Sequence, residues 1–387
     1  AAISRRYRER ENHISSDSRP IYISLQKDGI LFKMRRTQDL PDKESATMFF
    51  KDCKLSHQAQ ITGISHSVKE ILPPDPLDLT QLQKEANIRY GYTASEVYDI
   101  AQSLYEKKLI SYPRTSSRYL TEDVFDSLPP IMACLLSWEL FPAAKGTGGI
   151  DISNLSRHVI SAEKANVHHA IIITGIRPGN LSEKEMQVYR LVAGRMLETF
   201  MAPCRIETTN VEAVCAAQHF KAEQTRIIEA GWHDVFMRSD MVPKSGYSVN
   251  ELPEVEKGDN LNVCGCNMVH KKELPVDPFT DAELVEYMEL NGLGTVSSRT
   301  NIIRTLVNRK YIRYSGKYIV PTPKGMFTYE TIRGKKIADT SLTADWEKQL
   351  TGLESGMITG QDFLNRIRTL AKEMTDDIFN TYSTKEE

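Results

Sequence analysis

Ile71-Leu-Pro-Pro-Asp-Pro-Leu-Asp-Leu79 separates two kinds of sequence. Prolines at 73, 74 and 76 deny the chain both helix interior and ladder hydrogen bonds, so regular structure must stop there and restart. Before the break, from about Pro20 to Leu72, short alternating stretches such as Ile21-Tyr-Ile-Ser-Leu25 and Ile30-Leu-Phe-Lys-Met34 flank Asp28-Gly29 and predict strands and a hairpin. After it, Asp78 can cap a helix carrying Leu82 and Ala86, with Gly91 as its stop. Thr93 and Glu96 form a capping box for a second helix, whose Val97, Ile100, Ala101 and Leu104 share a face and which ends near Lys107-Lys108. Residues 180 to 200 again carry a helical pattern (Ser182, Glu185, Met186, Tyr189, Leu191, Val192, Met196), closed by Pro203. From Ile206 to about Val263 the alternation returns, with Val211, Ala213 and Cys215 in one run and a turn at Gly231-Trp232. The chain leaves a β-rich unit, builds a helical one and comes back. An insertion of one domain into another is the economical reading.

The two ends extend this plan. Ala1 to Asn12 looks like the end of a helix that starts without a capping residue, which predicts a longer native chain. Toward the other end, Thr280 and Glu283 form another capping box ahead of Leu284, Val285 and Met288, Gly292-Leu-Gly294 turns, and a helix follows from about Ser297 with Ile302, Ile303, Leu306 and Val307. Tyr314-Ser-Gly-Lys-Tyr318 then predicts a hairpin, and helices followed by a hairpin suggest a winged-helix-like unit. The expected class is α+β and multidomain. Residues 1–18 end a helix, 19–74 and 204–275 form a β-rich unit, 75–203 an inserted helical domain, and 276–387 a helical, winged-helix-like unit.

Composition leaves room for this. With 387 residues, 40% hydrophobic and 26% charged, the chain suits a soluble protein of roughly two to four domains. No apolar run approaches a membrane span and nothing at the start resembles a secretion signal, so the expected location is cytoplasmic. The six cysteines are scattered apart from Cys264-Gly-Cys266, which lack a second pair for zinc and read as reduced thiols. A net charge of −2 gives no global sign of nucleic acid, so any such argument is local.

Locally it is strong. In Lys107-Lys108-Leu-Ile-Ser-Tyr112-Pro-Arg114-Thr115-Ser-Ser-Arg118, a tyrosine on a short strand or tight loop is surrounded by Lys107, Lys108, Arg114 and Arg118 and opposed only by Glu106. A phenol is a poor nucleophile at neutral pH, and cations favour the phenolate and neutralise a pentacovalent phosphorus. Judged alone, the segment could equally be a surface strand with solvated lysines and a half-buried tyrosine. Downstream, Ser297 to Lys317 contains Arg299, Arg304, Arg309, Lys310, Arg313 and Lys317 and no acidic residue, which suits a phosphate backbone or a solvated basic helix. Ser297 and Ser298 could hydrogen-bond a phosphate at the helix N-terminus.

Taken together, Pro73-Pro-Asp-Pro-Leu-Asp-Leu79, Leu82-Gln, Gly91-Tyr-Thr93, Ile100-Ala-Gln102, Leu104-Tyr-Glu106 and Ser111-Tyr-Pro-Arg-Thr115 resemble the stretch around the active-site tyrosine of type IA DNA topoisomerases, most closely the topoisomerase III branch. His168-His-Ala-Ile-Ile172 with Thr174-Gly175, Leu181-Ser-Glu183 with Tyr189, Leu191 and Arg195, and Gly231-Trp232 are similar to further family signatures. Phe279-Thr-Asp-Ala-Glu-Leu284, Met288-Glu289, Gly292-Leu-Gly294, Ile302-Ile303, Leu306 and Val320-Pro-Thr322 with Gly325 resemble its C-terminal core block.

The resemblance implies an isomerase that changes DNA topology through a 5′-phosphotyrosine intermediate without ATP. It implies Tyr112 as nucleophile, Arg114 as the group orienting phosphate or phenol, and His168 assisting proton transfer. Lys108, Thr115, Arg118, His169, Ser297, Ser298, Arg299 and Arg304 become candidate DNA contacts, with single-stranded and underwound DNA as partner and a monomer as the expected state. The family also carries a TOPRIM domain whose acidic cluster binds Mg2+. No such cluster is visible here, so no metal ligand is expected in this chain and it is expected to be catalytically incomplete by itself. Ser116, Ile173 and Val296 depart from the family's usual Asp, Pro and Pro. The rival from another class is a non-catalytic single-strand DNA-binding scaffold in which Tyr112 stacks on a base. A tyrosine recombinase or type IB enzyme is disfavoured, because Tyr382 lacks an Arg-His-Arg setting.

Overall fold

Hydrophobic alternation, tight turns and one long return of the chain combine into a closed six-stranded barrel. The computed structural model describes residues 1–40, 42–138, 140–142, 150–165, 168–236 and 244–383. Helix α1 (Ala2–Glu11) is followed by the short strand β1 (Asp17–Ser18) and by β2 (Ile21–Lys27) and β3 (Ile30–Arg36). In β2, Ile21, Ile23 and Leu25 point inward and are buried, the alternation expected of a strand with one face on a core. Asp28 and Gly29 both adopt positive φ (52° and 82°), as the tight primed hairpin turn requires.

One element differs from the sequence expectation. Within the stretch expected to form only strands, Lys43–Leu55 is a helix, α2, capped by the Asp42 side chain on the Ser45 amide at 2.6 Å. Ala46, Phe49, Phe50 and Cys53 give it a helical apolar face against the barrel core, a 3.6-residue period masked by the alternating runs before it. Strand β4 (Gln58–Ile71) follows and leads out to the proline break.

After the break come α3 (Leu79–Tyr90), α4 (Ala94–Glu106), α5 (Glu122–Asp126), α6 (Leu128–Ser137), the single turn α7 (Ala162–Ala165) and α8 (Glu183–Phe200). The chain then returns as β5 (Cys204–Cys215), β6 (Gln218–Glu229) and β7 (Asn260–Met268), and the strands close in the order β2-β3-β6-β5-β4-β7. Barrel and helices have separate apolar clusters: Ile23, Leu25, Met34, Ile61 and Phe220 fill the barrel, while Leu82, Val97, Leu104, Val192 and Trp232 belong to the helical core.

The β5–β6 hairpin turns at Ala216-Ala217, both at positive φ (48° and 58°), where a Cβ is disfavoured. Replacing the pair with Asn-Gly, the preferred chemistry for such a turn, is expected to stabilise the fold by about 1 kcal/mol or more. A higher urea midpoint with an unchanged slope is the measurement that checks it.

The short strand β8 (Lys271–Lys272) pairs with β1 to form a stem where the chain enters and leaves the barrel. Beyond it, β9 (Phe279–Thr280), α9 (Asp281–Leu290), α10 (Val296–Asn308), β10 (Ile312–Ser315) and β11 (Tyr318–Pro321) build two helices on a three-stranded sheet ordered β10-β11-β9. Helices α11 (Pro323–Ile332), α12 (Thr340–Glu354) and α13 (Gly360–Ser383) complete the described chain. α1 joins this end: Ile3 lies in its apolar cluster and Arg8 pairs with Glu330 at 2.6 Å. The inserted helices dock on it as well, with Gln83 Nε2 donating to Thr300 Oγ1 at 2.9 Å and the Ala94 amide donating to Asp281 at 3.2 Å.

Candidate active site

The site begins at the end of α4. That helix opens with the reciprocal Thr93–Glu96 capping box and buries Val97, Ala101 and Leu104. It stops because Lys108 adopts a left-handed conformation (φ 61°), its amide donating to the Tyr105 carbonyl at 2.8 Å, while the Leu109 amide donates to Leu104 at 3.0 Å. The chain therefore reverses and runs back alongside the helix it has just left.

The returning segment is stitched to the strand-like stretch after His168. The Ser111 amide donates to Ile172 at 2.8 Å, the Thr174 amide to Leu109 at 3.1 Å, and the Ser111 hydroxyl bridges the Ala170 carbonyl and the Ile172 amide. Thr115, 3% exposed, donates its hydroxyl to the His168 carbonyl at 3.1 Å and accepts from the Ser117 amide. These bonds fix the backbone on both sides of Tyr112, which is itself in a loop and half-buried. Its ring packs against two others: His168 at 4.5 Å between centroids, tilted by 46°, and Tyr105 edge-on at 5.3 Å. His168 is exposed, whereas His169 is half-buried and its Nδ1 donates to the Ala170 carbonyl at 2.7 Å.

The four cations around Tyr112 have different occupations. Lys107 is bound to Glu185 at 2.5 Å; with help from the Ser182 amide and the Ser103 hydroxyl, it holds that carboxyl down at about 2. Arg118 is bound to the buried Asp78 at 2.7 Å and approaches Glu289 at 4.0 Å. Arg114 donates from Nη2 to Gln102 at 3.2 Å, its guanidinium 5.0 Å from the Tyr98 ring centroid, and its Nε is buried without a hydrogen-bond partner. Lys108 is exposed. Among the described residues, Arg114 and Lys108 are thus the cations of this group without a carboxylate partner.

With the Tyr112 loop and the barrel described, the chain matches known proteins along nearly its whole length. The DNA topoisomerase family profile matches residues 1–365. The DNA topoisomerase 3 of Bacillus licheniformis is 30% identical over 344 residues, covering 83% of this chain and 47% of the relative. That of Shouchella clausii is 29% identical over 381 residues, covering 91% of this chain and 51% of the relative. The chain belongs to the type IA DNA topoisomerase family. It spans about half the length of these curated relatives. The fold agrees: full-length topoisomerase I from Thermotoga maritima superposes with a TM-score of 0.74 at 21% identity, over 96% of this chain and 61% of that one.

In this type IA chain the C-terminal cations divide into two groups. Arg299, expected on a DNA-facing stripe, is 8% exposed and directed inward, its Nη1 3.2 Å from Thr80 and 3.6 Å from Glu289. Burial pushes the Glu289 carboxyl up and Asp78 adds to this, while Arg299 and Arg118 oppose it. Arg304 binds the Ser95 hydroxyl and both oxygens of Asp99, joining α10 to α4. Ser298 is spent on the cap of α10, accepting from the Thr295 amide at 2.8 Å, and exposed Ser297 lies 3.1 Å from the Thr295 hydroxyl. Arg309, Lys310, Arg313 and Lys317 are exposed. Arg118, Arg299 and Arg304 thus serve contacts between the inserted helices and the C-terminal unit, Arg299 from a buried position and Arg118 and Arg304 with their side chains 35% and 39% exposed. Burial and its bond to the His168 carbonyl make Thr115 part of the loop's frame.

Sequence reasoning also overlooked Tyr98, Gln102 and Tyr105 as site residues. Their signal was a second stripe at helical spacing, one residue out of step with the buried Val97-Ala101-Leu104 stripe.

Proposed function

We propose that the complete protein cuts and rejoins one strand of DNA by transesterification, with Tyr112 as nucleophile. The observation that carries this reading is a phenol on a backbone pinned at both ends, in ring contact with Tyr105 and His168, in a chain of the type IA family. The phenol oxygen attacks phosphorus, the bond to the 3′ oxygen breaks, and a 5′-phosphotyrosine forms. The phenol loses its proton and the departing 3′ oxygen gains one, and His168 stands beside the phenol as a group able to carry it. Arg114 and Lys108 would oppose the charge developing on the phosphate. One phosphoester replaces another, so the free 3′-hydroxyl can reverse the cut after a second strand has passed, with no nucleotide consumed.

Among the described residues no group of three or more His, Cys, Asp or Glu could hold a metal, so they do not fit a magnesium site and no step above runs through one. We assign Mg2+ to a TOPRIM domain elsewhere in the complete protein. The domain plan proposed is the one read from sequence: 1–18 and 276–387 in a base with a winged-helix-like part, 19–74 and 204–275 as the hinge arch, and 75–203 carrying Tyr112. Trapping of an oligonucleotide labelled at its 3′ end tests the function, because only covalent chemistry leaves label on denatured protein. Retention without a covalent adduct would favour the DNA-binding scaffold.

A second consequence concerns single-strand binding. We assign phosphate contact to the exposed Arg309, Lys310, Arg313 and Lys317 in preference to the inward Arg299 and Arg304. Neutralising all four should flatten the salt dependence of single-strand affinity by up to about 3 in log–log slope, at roughly 0.7 per phosphate released. Arg299→Gln should lower stability and leave that slope unchanged. The reverse pattern in salt titrations would return DNA contact to Arg299.

A further inference from the structure

We propose that α4 is a template for the nucleophile loop, and that Tyr105 is a positioning residue that holds the Tyr112 ring for in-line attack. This rests on the reading of Tyr112 as nucleophile. Tyr98, Gln102 and Tyr105 lie at i, i+4 and i+7 on one stripe of α4. Because Lys108 turns the chain back on itself, the loop passes this stripe in reverse order: Tyr112 meets Tyr105, and Arg114 meets Gln102 and Tyr98.

The two spacings agree. Two residues of extended chain advance about 6.6 Å. On the helix, the step from Tyr105 to the midpoint between Gln102 and Tyr98 is about 7.5 Å. One helical face can therefore seat nucleophile and arginine at once, each against its own aromatic ring.

Tyr105 also suits the task chemically. Its ring meets Tyr112 close to perpendicular, 78° between planes, an edge arrangement that aromatic quadrupoles favour. His168 is a second ring neighbour, 4.5 Å away between centroids, so two contacts restrict the χ rotation of Tyr112. Tyr105 is 39% exposed, so its truncation removes a brace without opening the buried core beneath Val97 and Leu104. Tyr98 serves Arg114 in the same way, its ring facing the guanidinium.

Single-turnover formation of the covalent adduct, in the complete enzyme at saturating single-stranded oligonucleotide, separates this role from its alternatives. Tyr105→Ala should slow adduct formation by roughly 10- to 100-fold, the scale of a misaligned reacting group. Noncovalent affinity, measured in the Tyr112→Phe background, should change less than about threefold, since no DNA contact is attributed to Tyr105. Tyr105→Phe, which keeps the ring edge and loses the hydroxyl, should restore the rate. An unchanged rate in Tyr105→Ala, or lost affinity at an unchanged saturating rate, would overturn the proposal, the second by showing a base-stacking surface. Failure of Tyr105→Phe to rescue would overturn it as well, by giving the role to the hydroxyl. The Tyr112→Phe control keeps the two readings apart: adducts that persist in it defeat the nucleophile assignment, whereas adducts lost in it but formed at full rate by Tyr105→Ala defeat only the template.

Discussion

Tyr112→Phe in the complete enzyme should reduce covalent capture of a 3′-labelled oligonucleotide below detection, on the order of 10⁶-fold, the scale on which removing a nucleophile acts. The substitution deletes the phenol oxygen proposed to bond phosphorus and keeps the ring that packs against Tyr105 and His168. The loop is held by backbone and hydroxyl bonds from Ser111 and Thr115, none of which involve the phenol. Fold and noncovalent affinity should therefore persist within a few-fold. Adducts surviving in this variant would put the nucleophile on another residue.

Arg195→Met should destabilise the chain by about 3–5 kcal/mol, the usual consequence of removing one member of a buried ionic group. The Arg195 guanidinium donates to Glu198 at 2.9 Å, to Glu85 at 2.8 Å and to the Asp75 carbonyl at 3.1 Å. Glu198 is fully buried. One side chain thus ties α8 to α3 and to the proline segment through which the inserted helices join the barrel, and the Thr199 hydroxyl adds a bond to Pro74 at 3.0 Å. Methionine fills similar volume and withdraws the guanidinium from both carboxylates, Glu85 keeping Arg89 at 3.5 Å. Arg195→Lys retains charge but loses the fork that reaches three acceptors, so an intermediate loss is expected. Denaturant unfolding measures both, and a methionine variant within 1 kcal/mol of the parent would show that the carboxylates find other compensation.

What the sequence made legible was local. The caps at Asp78, Thr93, Ser182 and Thr280 all accept the amides their spacing implies. The Asp28-Gly29 turn and the Tyr314–Tyr318 hairpin were equally readable, because each is decided within a few residues. Barrel closure was not, since Gln58–Gln60 of β4 pair with Asn260–Asn262 of β7, far away in the chain, and no local pattern encodes which edges meet. The same limit governs the site. The loop around Tyr112 carries its own proline and cations, so its character shows in sequence, but the inward turn of Arg299 depends on Glu289 and on Thr80, far away in the chain. A stretch without acidic residues looks free for phosphate until the fold brings acids to it.

Trp232 gives the joint between barrel and inserted helices a mechanical character. The indole, 1% exposed, donates to the Ile71 carbonyl at 2.9 Å where the chain leaves the barrel, and its amide donates to Ala202 at 3.0 Å where the chain returns. Gly231 lies so close that an added Cβ would sit 2.4 Å from the carbonyl oxygens of Ala202 and Pro203. Both crossings are riveted to one residue, the first through its indole and the second through its backbone amide, so they cannot swivel independently. A force that displaces the Tyr112-bearing helices is transmitted through this rivet as a couple on β4 and β5. The compliance then lies in those long strands, whose outer halves carry mostly exposed or half-buried residues away from the barrel core, with the proline segment acting as a stiff coupling.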